Sequence, residues 1–208
     1  MVLLLAVVAA VPLALLLGGR LGRLADLELR SAWLFYAAIG VQVAAFPSGI
    51  LPWALTDGAA TALSLSSYAL LIVASIRNRH VTGASIVAGG MLSNLAAILA
   101  NGNHMPALPS AMAAAGLDFA GVHQNSVAAS HPALPWLVDR FAVPQVVPAG
   151  NVYSVGDVLI AVGAMVLVCA AAGARLPLLR RPRLALSRLG PRRWRPSKPQ
   201  LGYATGDA

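Results

Sequence analysis

The residues of this chain that could do chemistry gather in two short runs. One is Asn101-Gly102-Asn103-His104-Met105-Pro106, the other Asn151-Val152-Tyr153-Ser154-Val155-Gly156-Asp157. Between Pro106 and Asn151 the only charged residues are Asp118, Asp139 and Arg140. An imidazole, amides, a hydroxyl and a carboxylate converging on one pocket could bind a small ligand, and His104 with Asp157 could pass a proton. The ligand-binding candidates are therefore Asn101, His104, Met105, Asn151, Ser154 and Asp157. Each run also has a structural explanation. Asn101-Gly102 suits a helix C-cap, because both residue types tolerate a left-handed backbone. Ser154 and Asp157 have the spacing of a capping box, with the Asp facing unpaired amides and the positive end of a helix dipole. No residue is assigned a catalytic role, and whether the protein is an enzyme stays open.

Other chemistry is poorly supported. His104, His123 and His131, with Asp118 or Met105, are the side chains that could hold zinc or copper. Their order in the chain matches no ligand pattern, so neither metal nor cofactor is expected. Ser126 and His131 suggest no nucleophile. No nucleophile elbow, P-loop, zincin or dinucleotide motif occurs.

The elements that must position these runs are apolar. Hydrophobic residues make up 58% of the 208 residues and charged residues 11%, with mean hydropathy +0.74. That balance belongs to a multi-pass membrane protein, and the length accommodates about five spans of roughly 20 residues. The expected spans are Val2–Leu17, Ser31–Phe46, Asp57–Ile76, Thr82–Ala100 and Ser154–Gly173. Span one has basic residues only after it, the reverse of a secretory signal peptide, and is expected to be retained. Pro47, Gly49 and Pro52 break span two. The stretch 132–150 is not a span: it holds Pro132, Pro135, Pro144, Pro148 and an Asp-Arg pair, and backbone that irregular cannot face lipid. Cys169 lies within an apolar run and reads as a packed small hydrophobe.

Charge orients the bundle. If the first loop, the Arg77–His80 turn and the C-terminal tail share one side, that side holds 14 of the 15 basic residues, with only Arg140 opposite. The positive-inside rule then puts the N-terminus and segment 101–153 outside and the C-terminus in the cytoplasm. Residues 175–208 form a basic tail, expected to be disordered and to lie on anionic lipid. Nucleic acid is not an expected partner, since no binding motif accompanies the proline-rich basic run.

Within the bundle, Ser85, Gly89, Ser93 and Ala97 recur every four residues and predict a close helix–helix contact at Gly89. Asn94 is a polar group inside the membrane and needs a partner, for which span three offers Thr61, Ser64, Ser66, Ser67 and Tyr68. No Lys, Arg, Glu or His lies near a span centre, which argues against an ion-coupled carrier. Segment 101–153 is too apolar for disorder and is expected to fold as a cap. Leu134, Leu137, Val138 and Phe141 predict a short interfacial helix with Trp136 at headgroup level. Ser110 predicts the cap of a second helix, Ala111–Ala115, ended by Gly116.

The two polar runs, the second leading into a final span, resemble a family of small multi-pass prokaryotic integral membrane proteins classed as a domain of unknown function. The likeness extends to about Leu179. The family opens such segments with Asn-Gly-Gly, where this chain has Asn101-Gly102-Asn103. The resemblance implies a topology and no activity. The expected protein is an all-α integral membrane bundle: five transmembrane helices in residues 1–174, with a folded extracytoplasmic cap, 101–153, between helices four and five. It resides in the cell membrane and binds a small ligand, lipid or partner subunit at its outer face. A membrane-embedded enzyme acting on an envelope lipid or peptide, or a small transporter, is the alternative.

Overall fold

A computed structural model describes residues 2–45, 55–117, 126–147 and 150–175. The described chain is mostly helical. The first long helix, α1 (Val2–Leu16), is followed by a 3-10 turn at Leu21–Asp26 and by α2 (Trp33–Ala45). Next come α3 (Asp57–Arg77) and α4 (Ala84–Ala100). The last helix, α6 (Val155–Ala171), follows segment 101–153. The expected breakers Pro47, Gly49 and Pro52 lie outside the described residues, as does the tail beyond Arg175.

The ends of these helices follow from local chemistry. Thr56 caps α3, its hydroxyl accepting from Ala59 N–H at 3.4 Å. Two residues past the expected start at Thr82, α4 begins beside Gly83, whose φ of +95° is a left-handed conformation suited to glycine. At its other end, Gly102 and Asn103 both take positive φ, and Asn103 N–H reaches back to Ile98 C=O at 2.9 Å. That bond from the second residue beyond the cap to the third-last residue of the helix is a Schellman closure. Asn103 thus closes the turn with an asparagine in the left-handed conformation.

The helices pack in the spatial order α1, α6, α4, α3, α2. One of them, over Gly58–Arg77, is long and apolar enough to cross a membrane. The helices Leu5–Leu16, Trp33–Ala45, Ala84–Ala100 and Val155–Ala171 are apolar but shorter. Ala10 and Ala14 of α1 are fully buried, and Cys169 of α6 is buried among small residues, with its Sγ 3.8 Å from Ala10 C=O.

The tight contact between α4 and α6 does not use the predicted small-residue stripe. Ser85 and Gly89 are exposed, and a methyl built on Gly89 meets nothing within 4 Å. The contact is made by Gly83, Val87, Gly90 and Asn94 instead, facing Gly156, Ile160, Gly163 and Leu167 of the antiparallel α6. A strict four-residue step advances about 400° on a helix and so drifts about 40° per step. The alternating steps of four and three hold one face.

Segment 101–153 is not helical throughout, which corrects the all-α expectation. It holds β1 (Met105–Ala107), α5 (Pro109–Ala115), β2 (Ser126–Ala128), β3 (Phe141–Val143) and β4 (Asn151–Tyr153). Parallel pairing joins β1 to β2, and antiparallel pairing joins β3 to β4, with Phe141 opposite Tyr153. The predicted helix through Leu134–Phe141 is a turn running into β3. Leu134 has φ +52°, which breaks a right-handed helix, and the backbone bonds then go elsewhere. Asp139 N–H bonds Pro106 C=O, Leu108 N–H bonds Asp139 C=O, and Arg140 N–H bonds Tyr153 C=O, all near 2.9–3.0 Å. The short helix α5 ends at Gly116 in the left-handed conformation, as predicted. It is entered through Leu108 and Pro109, and no side chain, Ser110 included, caps it.

Candidate functional site

The polar residues that the fold brings together lie where α4 meets the start of α6. Gly90 and Gly156 let the two backbones approach, and a methyl on Gly156 would strike the Asn94 side-chain oxygen. Asn94, 3% exposed, can therefore reach across to α6. Its Nδ2 donates to Asp157 Oδ1 at 3.0 Å, and the Ser154 hydroxyl lies 2.7 Å from Asn94 Oδ1.

Ser154 and Asp157 form both halves of the capping box. Asp157 N–H donates to Ser154 Oγ at 3.0 Å, and Ser154 N–H donates to Asp157 Oδ2 at 3.0 Å. Ser154 Oγ also lies 2.9 Å from Asp157 Oδ2. The single hydroxyl proton of Ser154 thus has two acceptors in reach, one on each helix. Tyr68 of α3 completes the group through its interaction with Asn94. The other polar groups offered by α3 turn elsewhere: Ser66 donates to Ala62 C=O, and Ser67 contacts Gln42 of α2 and donates to Ser64 C=O. Next to the box, Tyr153 has its phenol pushed above its ordinary value, first by burial and then by the nearby carboxylates of Asp157 and Asp139.

The remaining candidates have contacts of their own. Asn101 fixes the chain: its Nδ2 donates to Ala97 C=O at 2.8 Å and to Ala133 C=O at 2.9 Å, while its Oδ1 accepts from Ala133 N–H at 2.8 Å. His104 is exposed, with Nδ1 3.0 Å from Gly102 C=O. Met105 is buried in a cluster with Ala97 and Ile98, against which Leu65, Tyr68 and Leu137 pack. Asn151 pairs through its backbone with Val143. The described hydrogen bonds link Asp157 with Ser154 and Asn94, and His104 with Gly102. Among the described residues no three His, Cys, Asp or Glu side chains gather. His123 and Asp118 lie outside them.

Sequence reasoning missed Asn78. It is the C-cap of α3 and 1% exposed. Its Oδ1 accepts from Arg30 N–H at 2.8 Å, and its Nδ2 donates to Arg30 C=O at 2.9 Å and Ala74 C=O at 2.8 Å. This is the geometry of Asn101, repeated at the end of another helix. In both, the amide completes the C-terminal turn and then pairs with a distant peptide unit as a strand would. An asparagine at the end of a long, mostly apolar helical run was the one available signal.

The arrangement is one of positioning. Both carboxylate oxygens of Asp157 are engaged, by Asn94 and by the Ser154 amide, and this group ties α4 to α6. No curated protein and no solved structure matches the chain. A family described only as of unknown function, DUF5317, matches residues 26–169, a span that includes Asn94, Asn101, Ser154 and Asp157. The chain belongs to that family.

Proposed function

We propose that the protein is a five-span integral membrane protein, N-terminus outside and C-terminus in the cytoplasm, whose folded outer cap binds a lipid, a small ligand or a partner subunit without catalysing a reaction. The observation that carries this reading is that Asp157 and Asn101, the strongest polar candidates, are committed to holding segment 101–153 on α4 and α6. Meanwhile Trp136 (72% exposed), Phe141, Val146 and Val147 stand out from that segment. Apolar side chains that face outward along the helices, among them Tyr36, Ile39, Val43, Val73 and Leu99, support a lipid environment. The 17-residue helices α4 and α6 are about 26 Å long, a modest mismatch with a hydrocarbon layer of about 30 Å that flanking residues or local thinning absorb. The basic tail supports the same orientation and an anionic inner surface as its partner.

Purification of the tagged protein in mild detergent, followed by lipid and protein mass spectrometry, tests the proposal. A lipid or subunit retained by the native protein and lost on Trp136→Ala is the expected result. A rival enzyme, with His104 and Asp157 as acid and base, would instead turn over an envelope lipid or peptide and lose that turnover on His104→Gln with no loss of stability.

A further inference from the structure

Arg140 is the only Lys or Arg between Asn101 and Asp157. It is half-buried, and its guanidinium carbon lies 5.0 Å from the centre of the Trp136 ring and 6.0 Å from that of Phe141. Its described side-chain contacts are these two rings, and rings engage a guanidinium through its flat face. A guanidinium held by its face keeps the N–H groups of its edge for a planar fork that matches a phosphate.

The backbone fixes how deep this fork sits. Arg140 N–H bonds Tyr153 C=O, and Phe141 pairs with Tyr153 in the β3–β4 ladder. Tyr153 immediately precedes Ser154, the N-cap of α6. Antiparallel partners lie about 5 Å apart, so the start of β3 stands level with the entry of α6. If α6 spans the membrane, that level is the headgroup layer. Around the fork, Leu134, Trp136 and Phe141 expose apolar surface.

We infer that Arg140, clamped by Trp136 and Phe141, is a binding site for the phosphate of an outer-leaflet phospholipid with an anionic headgroup. The inference rests on the membrane reading of α6. It gives the cap a ligand of stated chemistry, and it gives a role to the one basic residue that stands apart from the other fourteen.

The test uses the full chain in lipid nanodiscs containing phosphatidylglycerol with a photoactivatable headgroup, with the cross-linked peptides mapped by mass spectrometry. The expected result is labelling of the 134–147 peptide, cut about fivefold by Arg140→Gln, the order expected for one basic residue at a charged surface. Labelling of the basic tail should not change. Arg140→Lys, which keeps the charge and loses the flat stacked fork, should retain part of the label. If the Gln variant does not fold, the Lys variant and Trp136→Leu carry the comparison. Equal labelling of 134–147 in native and variant proteins overturns the inference. A second nanodisc preparation with the photoactivatable group in the acyl chain separates two kinds of failure. Helices labelled from the acyl chain while the headgroup probe leaves 134–147 unlabelled sink the phosphate site alone, whereas helices unlabelled from the acyl chain sink the membrane reading beneath it.

Discussion

Gly90 of α4 and Gly156 of α6 face each other so closely that a methyl group on either would strike the other's carbonyl oxygen. Gly83 and Gly163 repeat the relationship two turns away. These four glycines set the spacing at which Asn94 meets Ser154 and Asp157. Gly90→Ala and Gly156→Ala should each destabilise the protein by about 1–3 kcal/mol, the usual result of overpacking a close contact. Gly89→Ala, one residue away but in open space, should be neutral or slightly stabilising because alanine favours the helix. Thermal unfolding in detergent checks the contrast. Equal losses at Gly89 and Gly90 would mean the helices are rotated from this arrangement.

At the head of α6, Asn94, Ser154 and Asp157 share one set of hydrogen bonds and should behave as a unit. Asn94→Ala removes a donor from Asp157 and an acceptor from Ser154 at a buried position, an effect of about 1–3 kcal/mol. Ser154→Ala should cost about 1 kcal/mol as a lost cap. Because the two side chains touch, the double variant should depart from additivity by about 0.5 kcal/mol or more. Asp157→Asn keeps an acceptor for Ser154 N–H but turns a second amide group toward Asn94. A loss of order 1 kcal/mol is expected, with ligand binding at the cap intact. A stable Asp157→Asn protein with cap binding abolished would show that the carboxylate serves the ligand rather than the helix.

Asn78 and Asn101 make the same pattern of bonds in different surroundings. Asn78→Ala strands the N–H and C=O of Arg30 around a fully buried amide and should cost about 1–3 kcal/mol. Asn101→Ala frees Ala133 in an exposed segment, where water replaces the lost partners, so about 1 kcal/mol or less is expected. Hydrogen exchange should separate the two. Asn101→Ala should raise exchange at Ala133 while leaving α3 protected, and unchanged exchange at Ala133 would remove the clamp from the account.

How far the sequence foresaw this arrangement depended on the range of the interactions. Ser154 and Asp157 were legible because both halves of a capping box lie within four residues. Gly116 and the Asn101-Gly102 ending were legible for the same reason. The α4–α6 face was misread because Ser85, Gly89, Ser93 and Ala97 obey a period of four, while the helix obeys 3.6. The helix expected through Leu134–Phe141 failed because its apolar spacing also suits a turn entering a strand. The deciding partners, Pro106, Leu108 and Tyr153, come from elsewhere in the chain. The capping half of the role of Asn78 had a signal in its place at the end of α3, but the other half could not be read, since that partner is the backbone of Arg30, and a backbone carries no sequence signal.

The central claim, that segment 101–153 faces outward and the C-terminus inward, rests on the distribution of basic residues and is tested by where each end lies. Paired reporters, one fused after Ala208 and one inserted at Gly121, measure it directly in cells, using a fluorescent protein that matures only in the cytoplasm and a phosphatase active only outside. Fluorescence without phosphatase activity is expected at Ala208, and phosphatase activity without fluorescence at Gly121. The same reporter active at both positions would contradict it.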